Sequence, residues 1–157
     1  MTYFNQLDRT VRDAIKSGRI GQPVFVRLTV TVEPAGADTW AVLGALVPAV
    51  QEWVGVPIQR LYAVETSPRH HSALALQFQG GPSALLSSVI PAPAGPGLDV
   101  LILGNRGGLY HDGLMCGAPP GLGLTAPPER ADDPMLKVIE TSLRTGRPQA
   151  LPPEGKP

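Results

Sequence analysis

Between Gln22 and Glu33 the chain alternates without a break. Val24, Val26, Leu28, Val30 and Val32 occupy one parity, and Phe25, Arg27, Thr29, Thr31 and Glu33 the other. A side-chain period of two belongs to a β-strand, because successive side chains leave the backbone on opposite sides. Five apolar residues therefore share one face, and that face requires a cover. The other face carries β-branched threonines and suits either water or a packed surface. Pro34, Ala35 and Gly36 end the strand.

The flanking segments supply cover. From Thr2 to Ser17, Phe4, Leu7, Val11, Ala14 and Ile15 fall on one helical stripe, with Asp8, Arg9, Arg12 and Asp13 mostly outside it. Gly18 follows, able to take the left-handed conformation that ends a helix. From Asp38 to Val54, Trp40, Leu43, Val47, Val50 and Val54 form a second stripe, capped by Asp38 or Thr39. Pro48 lies inside it and is expected to kink or split it. Further strands are expected at Ile58 to Thr66, Ser72 to Gln79, Ser83 to Ile90, Leu98 to Leu103 and Leu109 to Asp112. Gly80, Gly81 and Pro82 form a turn of hairpin length. Asp132, Asp133 and Pro134 open a last helix through Met135, Leu136, Ile139 and Leu143, which Gly146 stops. The segment from Gly117 to Pro128 is expected to be an extended loop, and residues 149–157 a disordered tail. The sum is one α+β domain over residues 1–148: a single, predominantly antiparallel sheet of about six strands with helices on one face.

Composition narrows the role. Thirteen basic and thirteen acidic residues give a net charge of zero, and no basic cluster is present to replace phosphate counterions. Nucleic-acid binding is thereby set aside. The most apolar run, Ala41 to Val50, is about half the length a bilayer span needs, so no membrane partner is expected. The single Cys116 excludes an internal disulfide framework and fits a reducing, cytoplasmic setting. The 18 glycines and 18 prolines cluster in loops and tails and show no triplet period.

Four segments in order carry a family resemblance. They are residues 14–27 (AIKSGRIGQPVFVR), 52–63 (EWVGVPIQRLYA), 75–84 (ALQFQGGPSA) and 101–109 (LILGNRGGL), followed by a last helix from Met135 to Pro148. Their order and spacing resemble the second, sheet-forming domain of the Gfo/Idh/MocA oxidoreductases, the dihydrodipicolinate-reductase and glucose-fructose-oxidoreductase type of C-terminal domain. The resemblance implies a substrate and assembly domain that normally follows a Rossmann domain holding a nicotinamide cofactor. Here only a short helix and Met1 precede the first matching segment, and neither a G-x-G-x-x-G fingerprint nor a Glu-Lys-Pro segment occurs. The family's helix before the glycine turn usually bears an Asp and a His one turn apart. Counting back from Gly55 places those positions near Ala41 and Ala45, and alanine cannot move a proton. No cofactor and no catalytic residue is expected in this chain.

Other chemistry is sparse. Residues 104–108 (GNRGG) precede a strand, so a hairpin turn is expected in place of a phosphate cradle, which gains its affinity from a helix N-terminus. His70 and His71 are strand neighbours facing opposite sides, and no zinc-type spacing exists, so no metal is expected. Cys116 is expected to be an ordinary thiol. Candidate ligand contacts are Trp40, Tyr110 and His111. The candidate interface is the second sheet face: Arg27, Thr29, Thr31, His71, Ala73, Ala75, Gln77 and Gln79. Small, neutral residues there suit face-to-face packing, and the resemblance implies that such a face meets a second subunit. The expected role is a non-catalytic homodimeric binding or assembly protein. The alternatives are one subunit of a split NAD(P)-dependent oxidoreductase, completed by a separate Rossmann-domain protein, and a small-molecule sensor.

Overall fold

The structure, a computed structural model, describes residues 3–31, 39–66, 71–89, 97–113 and 134–151. The element order is α1 (Tyr3–Lys16), β1 (Pro23–Thr31), α2 (Thr39–Val54), β2 (Ile58–Glu65), β3 (His71–Phe78), β4 (Ser83–Val89), β5 (Gly97–Gly104), β6 (Gly108–Asp112), α3 (Pro134–Thr145) and β7 (Gln149–Ala150). The strands form one sheet in the order β6-β5-β1-β4-β3-β2-β7. The expected α+β class holds, with seven strands in place of about six.

The alternation at β1 decides the layering. Val26, Leu28 and Val30 are fully buried, while Arg27, Thr29 and Thr31 are half-buried on the other side. In register with the first set lie Ala84, Leu86 and Ser88 of β4 and Val100, Ile102 and Leu98 of β5. All of these but the buried Ser88 form one continuous hydrophobic core with the buried faces of the helices, Leu7 and Val11 of α1, Leu43 and Val50 of α2, and Ile139 of α3. All three helices thus cover one face. Val24 departs from the expected apolar face and is 45% exposed, because a bulge between Pro23 and Phe25 shifts the register there. Val32 lies outside the described residues.

Three local readings change on contact with the structure. Of the two outcomes expected of Pro48, a kink or a split, the split does not occur, since α2 runs from Thr39 to Val54 with Pro48 inside it. The central pair β1 and β4 is parallel, since the β3–β4 hairpin inserts between β1 and β2. The tail is not structureless at its start. Gln149 and Ala150 pair with Leu61 and Arg60, and the Leu151 amide donates to the Gln59 carbonyl at 3.1 Å. The Ser142 hydroxyl steers that return, accepting from the Ala63 amide at 3.0 Å and donating to the Arg147 carbonyl at 2.9 Å. The caps at Asp132 and Asp133 and the loop from Gly117 to Pro128 lie outside the described residues.

Helix α1 is clamped to α2 by a charged cluster. The Trp53 indole donates to Asp8 Oδ1 at 2.7 Å, Arg12 Nε donates to Asp8 Oδ2 at 2.8 Å, and Arg12 also pairs with Glu52. The two carboxylates and hydrogen bonds raise the Arg12 pKa further above its ordinary value. Gly18 closes α1 at a φ of 70°, the left-handed cap expected for it.

Two glycines differ in what they tolerate. A side chain on Gly104 would place its Cβ 2.0 Å from the Ile20 carbonyl oxygen, so Gly104→Ala should destabilise the fold by about 2–3 kcal/mol. A Cβ on Gly44, inside α2, would meet Leu136 of α3 at an ordinary 3.5 Å. Gly44→Ala should therefore stabilise by about 0.5–1 kcal/mol through helix propensity. Denaturant titration of both variants checks the opposite signs.

Candidate functional site

Two surfaces are candidates, on opposite sides of the sheet. The first is the face without helices. Across its middle run Tyr110, Leu101, Arg27, Leu85, Ala75 and Tyr62, each the register partner of the next. A second row holds Asp112, Asp99, Thr29, Ser87, Ala73 and Val64. Seven of the eight residues expected here lie on it: Arg27, Thr29, Thr31, His71, Ala73, Ala75 and Gln77. Gln79 does not, since it falls in the turn beyond the end of β3.

The expectation of small, neutral side chains needs correction. Among the described residues the large exposed hydrophobics are Val24, Val64 (40%), Leu85 (37%), Leu103 (42%) and Tyr110 (59%). All but Val24 sit on the open face, joined there by half-buried Phe25, Leu101 and Val89. Leu85 and Val89 come from β4, Leu101 and Leu103 from β5 and Tyr110 from β6, strands outside the expected surface, while Phe25 and Val64 are added from β1 and β2.

A polar cluster sits among them. Arg27 lies 3.7 Å from Asp99, and the Thr29 and Ser87 hydroxyls are 3.0 Å apart. Asp99 and Asp112 face each other across the β5–β6 ladder. Loss of water contact and the charges of Asp99 and Asp112 push the Tyr110 phenol above its ordinary pKa of 10. Neutralising one of these charges should bring the phenol back down. Asp112→Asn is expected to lower the Tyr110 titration midpoint, read by NMR of ring-labelled tyrosine.

The second surface is a cavity of about 300 Å³ between α1 and the edge strand β6. Tyr3, Gln6 and Thr10 wall it from α1, with Arg19 beyond the helix end. Leu109 and His111 wall it from β6, and Tyr110 contributes to its rim from the same strand. The Tyr3 hydroxyl and His111 Nε2 share a hydrogen bond, and their rings lie 5.7 Å apart. Two of the three expected ligand contacts, Tyr110 and His111, thus come together here. Trp40 does not join them: its indole donates to Glu65 Oε2 at 3.1 Å, at the β2 side of the sheet. Tyr3, Gln6, Thr10 and Arg19 carried no signal in the sequence, because only the docking of α1 brings them to β6.

The glycine turn is a hairpin, as its context implied. Gly104 N donates to the Gly107 carbonyl at 2.8 Å, and the Asn105 side chain accepts from the Gln22 amide at 3.0 Å. Among the described residues no group of three or more metal-ligating side chains occurs, and no helix is long and apolar enough to cross a membrane. His71 is exposed on the open face, while His70 and Cys116 lie outside the described residues.

No family profile and no curated protein matches this sequence. Solved structures do match. A probable dehydrogenase from Thermotoga maritima is similar over 91% of this chain and 61% of its own, at 13% identity and a TM-score of 0.64. The scyllo-inositol dehydrogenase from Lactobacillus casei with bound NAD(H) and scyllo-inositol is similar over 69% of this chain and 40% of its own, at 15% identity and a TM-score of 0.56. For an inositol dehydrogenase homolog from Azotobacter vinelandii the shares are 67% and 34%, with 21% identity and a TM-score of 0.53. This chain has the fold of the Gfo/Idh/MocA sheet domain.

It spans between about a third and three fifths of the length of these structures. In this chain α2 carries Ala41 and Ala45, both half-buried, and no Asp or His between Thr39 and Gly55. Methyl groups at those positions supply neither a general acid nor a general base.

Proposed function

We propose that this domain works as a non-catalytic assembly module that forms a homodimer through its open sheet face. The observation that carries this reading is the placement of Val64, Leu85, Leu103 and Tyr110, all exposed and all on that one face. An apolar sheet face of this kind marks an interaction surface more often than a solvated one. Burying each leucine against a partner would contribute on the order of 1–2 kcal/mol toward the entropic cost of association, with Val64, Tyr110, Phe25, Leu101 and Val89 adding to it.

The polar cluster sets the register of such a pairing. Arg27 and Asp99 at the centre of an apolar surface must be matched on docking, because an unmatched buried charge costs several kcal/mol. Sheets packed face to face commonly align within about 30°, leaving few ways to satisfy the cluster. The alanines at positions 41 and 45 support the non-catalytic part of the reading. A cytoplasmic site of action accords with the lone Cys116.

Sedimentation equilibrium at micromolar concentration tests the dimer. The wild-type chain is expected at twice its 16.5 kDa mass, and Leu85→Glu and Leu103→Glu, at exposed positions, should each shift it to monomer with unchanged circular dichroism. A monomeric wild type at tens of micromolar would refute the proposal, whereas a second polypeptide co-purifying in stoichiometric amount would favour the split oxidoreductase.

A further inference from the structure

The cavity between α1 and β6 has a chemical character that the assembly role does not use. Its wall includes one cation, Arg19, and no carboxylate. Arg19 forms no ion pair among the described residues, unlike Arg12 and Arg27. Arg19 is exposed and lines the open side of the cavity, where a guanidinium without a counter-charge favours an anion and its planar fork fits a carboxylate. The other polar groups in the wall can exchange hydrogen bonds with hydroxyls: the Gln6 amide, the Thr10 hydroxyl, the Tyr110 phenol and the Tyr3–His111 pair. Leu7 and Leu109 supply the apolar surface that a carbon chain would touch.

The arrangement has a direction. Tyr3 is the first residue of α1 and Arg19 lies just past its last turn. Hydroxyl-matching groups therefore stand toward one end, and the charge toward the other. A volume of about 300 Å³ lies at the small end of ligand pockets and fits a molecule of a few carbons. We infer that this cavity binds a small hydroxy acid, with its carboxylate on Arg19 and its hydroxyls between Gln6, Thr10 and the Tyr3–His111 pair. The inference does not depend on the open sheet face, which lies on the other side of the sheet.

Thermal unfolding of the full chain tests it with defined probes. D-Gluconate and L-malate are compared with D-glucitol, which keeps the six-carbon hydroxylated chain of gluconate but replaces its carboxylate by an alcohol, at matched ionic strength. At least one acid is expected to raise Tm by about 3 °C at ten times its Kd, with glucitol silent. Arg19→Gln should weaken that binding at least tenfold, Arg19→Lys should retain part of it, and Thr10→Val should weaken it without changing the unliganded Tm. Calorimetric titration of the same variants reads the affinities directly. No shift with either acid, an equal shift with glucitol, or an Arg19→Gln variant that binds as wild type would each overturn the site. These outcomes are read as ligand binding and the dimer as mass without ligand, so failure here is distinguishable from failure of the dimer.

Discussion

The structure depends on a sheet that is dry on one side only. β1 stands inside it, between parallel β4 and antiparallel β5, and its two-residue period fixes which side chains those neighbours must present. A slip of one residue would carry Val26, Leu28 and Val30 away from the helices and bring Arg27 into the core. The register is pinned at one end by the bulge at Pro23 and by the close approach of Gly104 to the Ile20 carbonyl. Once it is fixed, the helices have one face to cover and the other face inherits its composition from what is left.

That inheritance explains what could and could not be read along the chain. The alternation of β1 and β3, the helical stripes of α1 and α2 and the glycine cap at Gly18 are local signals, and local signals survive into the fold. The parallel pairing of β1 with β4 is not local, because it arises from where a hairpin inserts. The same gap hid the apolar character of the open face. Leu85, Leu101, Leu103 and Tyr110 sit on strands with apolar residues of both parities, so only the ladder shows which side each takes. β7 escaped notice for a different reason: two residues have no period, and Gln149 and Ala150 become a strand only because Ser142 turns the chain back onto β2.

Helix α1 contributes more than its length suggests. Asp8 holds the Trp53 indole and Arg12, and Arg12 reaches Glu52, so α1 is fixed to α2 by polar contacts as well as by Leu7, Val11 and Ala14. A helix anchored that way presents its remaining face, with Tyr3, Gln6 and Thr10, rigidly to the sheet edge. The candidate cavity exists because the clamp holds α1 in register with β6. It is thus a product of tertiary packing and not of any motif, and residue spacing alone gave only its β6 side.

The two surfaces meet at one strand. In β6, Tyr110 faces the open side beside Leu101 while His111 faces the helices beside Val100, one peptide apart on alternating sides. A partner that buries Tyr110 acts on the same short edge strand that carries the His111 side of the cavity. Association and ligand binding then share a structural element, and any coupling between them must be reciprocal: the factor by which a ligand changes dimer affinity equals the factor by which dimerisation changes ligand affinity. A five-residue strand paired along only one edge is the part of such a sheet most able to shift.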